Sequence, residues 1–191
     1  MKNEYILGFD ISTSIIGICV FKNKELYKLE YIDFRKLENL FEKSDLFKEK
    51  FQLIYNDIKD DILTIKIFIE DIMQSFSQGM SSAKTILQLA KFNGITSNII
   101  YNISGFIPEY INVNSARKLL NIKIDKNLKK DKKEQILEWV SNEIPEFKWP
   151  EKLINRGVNK GSVKYEQYCY DMADAYVICK AGSKIVYGSS N

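Results

Sequence analysis

The chain has 191 residues, 45% hydrophobic and 28% charged, with a formal net charge of +3. That length suits one domain with a full hydrophobic core, so residues 1–191 are read as a single unit. It contains no histidine, which excludes Ser-His-Asp and Cys-His catalysis and nearly all histidine zinc sites, leaving acid–base or metal chemistry to carboxylates, lysines and tyrosines.

The first segment, "YILGFDISTSIIGICVF", reads as two strands at 4–11 and 16–22 joined by the turn "STS". Its only charge is Asp10, a costly placement in an apolar strand unless something pairs with it. Its short apolar stretch, interrupted by Asp10, does not read as a secretory leader, and none is expected. No apolar run reaches the ~18 residues of a membrane span, so no membrane association and a cytoplasmic location are expected. "ELYKLEYIDF" (25–34) alternates enough for a third strand, completing an antiparallel meander. Phe47, Phe51, Ile54, Ile58 and Ile62 recur at helical spacing, predicting a helix over 45–62 with Ser44 as N-cap. "IKIFIED" (65–71) is a short buried central strand ending in two acids. A long helix follows over about 79–101, with the stripe Ala83, Leu87, Ala90, Gly94 and Ser97. Plain packing on the sheet is the simplest account of that stripe. "EYINVN" (109–114) is a fifth strand, and Asn114 can cap a short helix over 115–120. Asp131 and Glu134 have capping-box spacing for a helix at 132–144. Residues 145–168 read as a long loop, a kind that in a compact domain is usually functional or mobile. The final helix, about 170–181, stops at Gly182. Cys19, Cys169 and Cys179 show no paired spacing and read as reduced and buried. The fold class is α/β: a mixed five-stranded sheet, antiparallel through its first three strands and parallel beyond, flanked by helices.

Four acids stand in or beside apolar elements: Asp10, Glu70 and the pair Asp171 and Asp174, which share one face of the last helix. Each has a structural explanation on its own. Together they form a set of hard oxygen donors suited to Mg²⁺, with Mn²⁺ as substitute. Two such ions roughly 4 Å apart can activate water and stabilise a leaving oxygen of a phosphodiester. Six lysines between Lys123 and Lys133, against Asp125 and Asp131, form a cationic stretch that fits a phosphate-bearing partner or is simply solvated.

These residues carry a family resemblance. "GFDISTSIIG", "IFIEDIM" and "YDMADAYVICKAG" resemble the acidic motifs of RuvC-type Holliday-junction resolvases, in the RNase H-like (retroviral integrase) superfamily. The stretch "NSARKLL…DKKEQILEWV" resembles the family's basic region, with Lys118 and Lys133 at its phosphate-contacting lysines. The likeness spans roughly residues 4–182, and the Lys-, Ile- and Asn-rich composition suggests a phage or AT-rich bacterial member. Three departures stand out: Ile11-Ser12 where the family has Pro-Gly, Met73 at the aromatic wedge, and the length of 145–168.

The resemblance implies an RNase H-like fold, and a Mg²⁺-dependent endonuclease that resolves four-way DNA junctions by paired symmetric nicks leaving 5′ phosphates. Asp10, Glu70, Asp171 and Asp174 would be catalytic residues and ligands of two Mg²⁺ ions. DNA would meet Arg117, Lys118, Lys129, Lys130, Lys132, Lys133 and the 156–164 loop, with Met73 and Phe76 either wedging the junction centre or buried at a dimer contact. The partner would be branched DNA, and the protein a homodimer joined through helix 79–98. Alternatives stay open: another RNase H-like nuclease cutting flaps or RNA–DNA hybrids, an actin-like ATPase half, or a non-catalytic junction-binding protein of this fold.

Overall fold

The computed structural model describes residues 2–71, 83–128, 130–155, 157 and 160–188. Three antiparallel strands, β1 (Asn3–Asp10), β2 (Ile15–Lys22) and β3 (Glu25–Asp33), open the chain. Helix α1 (Leu40–Ile58) and a 3-10 turn over Lys59–Asp61 lead to β4 (Ile62–Glu70). Helix α2 (Ala83–Ser104), strand β5 (Glu109–Ile111), and helices α3 (Val113–Leu119) and α4 (Lys132–Glu143) follow. A small ribbon, β6 (Glu151–Leu153) and β7 (Val163–Tyr165), precedes the last helix, α5 (Tyr168–Tyr187). The main sheet runs β3-β2-β1-β4-β5, with β1 parallel to β4 and β4 parallel to β5. It is the mixed five-stranded sheet expected.

Strand alternation sorts the side chains into two cores. Tyr5, Leu7 and Phe9 of β1, with Ile16, Ile18 and Val20 of β2 and Ile65, Ile67 and Ile69 of β4, join the core shared with Phe47, Phe51 and Phe92 of α1 and α2. Ile6, Cys19, Phe21 and Phe68 point the other way, into the core built with α3, α4 and α5. Because β1 and β2 are covered on both faces, they read as unbroken apolar runs rather than alternating ones. The same parity places Gly8, Asp10, Gly17 and Glu70 on the α5 side.

Two glycines let α5 lie on that face. A Cβ at Gly8 would collide with the Cys179 backbone, and one at Gly17 with the Asp171 carbonyl. All three cysteines are free and buried.

Several boundaries differ from the sequence reading. The cap of α1 is Asn39, whose side chain accepts from the Phe41 and Glu42 amides, while Ser44 lies inside the helix and donates to the Phe41 carbonyl. Asn112, not Asn114, caps α3. The stretch 145–168 is not wholly loop, since β6 and β7 pair within it. Gly182 does not end the last helix: it sits inside α5 because a Cβ there would enter the Phe68 ring, and the cap is Gly188 at φ 74°. The capping box of Asp131 and Glu134 is present as expected. On α2, Ala83, Leu87, Ala90 and Gly94 face outward rather than onto the sheet. Among the described residues no helix is long and apolar enough to cross a membrane.

Candidate active site

Asp10 ends β1 and Glu70 ends the parallel neighbour β4, where Phe9 pairs with Ile69, so both carboxylates leave the sheet at the same edge and face. Gly17, paired with Asp10, carries the first turn of α5 directly on β2 and so brings Asp171 and Asp174 to that edge. Asp10, Asp171 and Asp174 are buried, 7–9% exposed, and Glu70 is half-buried. The four acids line one cavity of about 350 Å³ together with Ser12, Arg117, Lys132 and Lys133. Ser12 stands where the resemblance has Pro-Gly. Its hydroxyl donates to the Ile15 carbonyl at 2.6 Å and accepts from the Ser14 and Ile15 amides, so it closes the β1–β2 turn beside the site.

Cations reach the acids from α3 and α4. Arg117 is 8% exposed, and its Nη2 donates to Asp174 Oδ1 at 3.2 Å. Lys133 Nζ donates to Asp171 Oδ1 at 3.2 Å. The capping box matters here, because it fixes the start of α4 where Lys132 and Lys133 enter the cavity. Asn93 of α2, which the sequence reading did not single out, is buried and donates to the Glu70 main-chain carbonyl at 3.4 Å.

The charges are crowded. Burial pushes the Asp10 carboxyl well above the usual carboxylate range, and the charges of Glu70 and Asp174, a hydrogen bond with Glu70, and Asp171 push it further. Burial also raises Glu70, which the bond from Asp10 and the charges of Arg117 and Lys133 partly offset. Burial raises Asp171 and Asp174, opposed by Lys133 at the first and by Arg117 at the second. Burial and mutual repulsion thus disfavour the charged forms of Asp10 and Glu70, a cost that a bound cation would relieve. Among the described residues, no three or more Asp, Glu, His or Cys side chains already converge tightly enough to hold a metal ion. In kind the donors still fit Mg²⁺ or Mn²⁺: four carboxylates, two of them hydrogen-bonded to each other and the other two each paired with a side-chain cation.

The remaining expected residues fall in different places. Lys118 is exposed and stays outside the carboxylate cavity, so Arg117 rather than Lys118 reaches the acids. Lys130 pairs with Glu138 at 2.8 Å, away from the cavity. Met73, Phe76 and Lys129 lie outside the described residues, as does the start of the segment 79–98.

No protein-family model matches the sequence, and no curated protein matches it. Solved structures do. The structure of Thermus thermophilus RuvC in complex with a Holliday junction substrate matches over 97% of both chains, with a TM-score of 0.63 at 11% identity. A second T. thermophilus RuvC structure matches over the same shares at 0.60 and 12% identity. The chain therefore has the RuvC-type, RNase H-like fold.

Proposed function

We propose that the protein is a structure-selective endonuclease that resolves four-way DNA junctions by paired symmetric nicks. The observation that carries this reading is the meeting of Asp10, Glu70, Asp171 and Asp174 at one cavity, on a fold shared along its whole length with RuvC bound to a junction. Two Mg²⁺ ions, or Mn²⁺, held by these four carboxylates would supply activation of the attacking water and stabilisation of the departing 3′ oxygen. The chain's own residues do the rest. Asp10 stands between the sheet acid Glu70 and the helix acids, so it can serve both halves of the ligand set. Burial keeps bulk water from the carboxylates and strengthens each charge interaction there. Arg117 and Lys133 offset the surplus negative charge and are placed to receive a phosphate, and Lys132 lines the same cavity. Phosphate contacts of this kind give binding that weakens steeply with salt. The products carry 5′ phosphates.

A four-way junction has two strands to cut, which asks for two sites. The outward stripe Ala83, Leu87, Ala90 and Gly94 of α2, with Leu87 60% exposed, supports a homodimer joined along this helix.

The test is to incubate the protein with a labelled four-way junction, a nicked duplex, a 5′ flap and an RNA–DNA hybrid, in Mg²⁺ and in EDTA, beside Asp10→Asn. Paired symmetric nicks confined to the junction, lost in EDTA and in Asp10→Asn, are expected. Equal cutting of the flap or the hybrid, or activity surviving in Asp10→Asn, overturns the proposal. Sedimentation tests the dimer.

A further inference from the structure

A second cavity, of about 400 Å³, adjoins the carboxylate one. Arg117, Lys118, Lys123 and Lys132 line it with Asn114 and Asn121, and no acidic side chain does. Arg117 and Lys132 line both cavities, so Arg117 forms part of the wall between an acidic chamber and a cationic one. Its guanidinium is only partly used. Nη2 holds Asp174, while Nε and Nη1 are buried with no hydrogen-bond partner. Buried donors left unpaired are costly and rare, and in a native protein each needs a reason. Four cations line this cavity with no acid on its wall, and one of them, paired with Asp174 through a single nitrogen, is buried with spare donors. The planar donor fork of arginine matches a phosphate as well as a carboxylate.

We propose that this cavity takes a second, non-scissile phosphodiester of the DNA backbone, and that Arg117 couples it to the carboxylates by leaving Asp174 for that phosphate. The inference rests on the nuclease reading above. Arg117 and Lys133 pair with Asp174 and Asp171, so those carboxylates must release a cation before both can serve a metal. A phosphate in the cationic cavity draws the guanidinium across and frees Asp174. Anion binding and cation binding then help each other, and by linkage each tightens the other equally.

The experiment needs no catalysis. Mn²⁺ affinity of the DNA-free protein is measured by electron paramagnetic resonance, with sulfate as the anion probe and chloride at matched ionic strength as control. Sulfate is expected to tighten Mn²⁺ binding by roughly tenfold in the wild type. Arg117→Gln should bind Mn²⁺ tightly whether or not sulfate is present. Because that variant removes the partner of a buried carboxylate, a second variant is needed: Lys118→Gln/Lys123→Gln, which alters only exposed positions, should lose the sulfate effect. Mn²⁺ affinity indifferent to sulfate in the wild type, or an equal sulfate effect in Arg117→Gln, overturns the coupling. Junction binding in EDTA identifies the natural anion. If it is DNA, the double lysine variant lowers the slope of log affinity against log salt by about 2. An unchanged slope assigns the cavity to a free anion and overturns the DNA assignment. The two readings fail separately. A protein that shows the sulfate linkage but nicks no junction keeps the subsite and loses the resolvase reading. One that resolves junctions without the linkage does the reverse.

Discussion

Gly17→Ala is the sharpest probe of how the site is assembled. The new Cβ would stand inside the Asp171 main-chain carbonyl, and the obstacle is backbone, which cannot swing aside like a side chain. Ordinary contact lies near ~3.5 Å, so the first turns of α5 must retreat by on the order of 1.5 Å. Overpacking of this kind costs about 1–3 kcal/mol, and with a rigid obstacle the upper end applies. With a urea dependence of about 2 kcal/mol per molar, the midpoint should fall by ~1–1.5 M. Trp139 and Trp149 both pack against the core beneath α5, so their fluorescence reports the transition. The retreat also moves Asp171 and Asp174 away from Asp10, and a shift of this size can cost on the order of 10²-fold in rate. Gly94→Ala is the counterpart. Gly94 is inside α2 with nothing of its own chain within 4 Å of the place an added methyl would take, so alanine should stabilise the monomer by up to ~1 kcal/mol. A Gly17→Ala protein that unfolds at the wild-type midpoint with the same slope would refute the claim that α5 rests on β2 at this residue.

Removing the Asn39 cap by Asn39→Ala should cost ~1 kcal/mol, whereas Ser44→Ala should change stability by less than ~0.5 kcal/mol; chemical denaturation of both variants decides which residue starts α1. The acid cluster makes a pH prediction. All four carboxyls titrate above their usual range in the metal-free protein. Unfolding returns them to ordinary values near 4, so their contribution to stability is full below that pH and is lost as pH rises through the folded-state values. In EDTA, wild type should therefore lose stability relative to Asp10→Asn as pH climbs from about 4, and Mg²⁺ should abolish the difference in slope. Urea midpoints across a pH series check this, and a wild-type midpoint that rises relative to Asp10→Asn over that range contradicts it.

The four carboxylates were legible because a charge inside an apolar run is expensive, and expensive residues are noticed. The shared face of Asp10 and Glu70 was not, because it depends on the parallel register that sets Phe9 opposite Ile69, and a slip of one residue would turn one carboxylate to the other side. The choice of Arg117 over Lys118 was not. Val113, Ala116 and Arg117 lie on the buried side of α3, while Lys118 is one ~100° step further round and exposed. Only the docking of α3 decides which of two adjacent cations faces Asp174. The short strands β6 and β7 escaped notice because all six of their residues are exposed, so no buried face imposes a periodic pattern.

Glycine marks the same boundary between the two kinds of information. Gly182 carries a stop signal in sequence, yet in the fold it is the place where α5 meets the Phe68 ring. Gly17 and Gly8 look like weak points in a strand, yet they are where a helix backbone rests on the sheet. By itself the sequence determined the α/β class, the capping box that fixes α4, and the set of acids, because each follows from local spacing or from the cost of a charge among apolar neighbours. The tertiary structure alone decided the seating of α5, the pairing of Arg117 with Asp174 and the cationic cavity beside it. Those depend on contacts between residues far apart in the chain, and no local pattern encodes the distance between them.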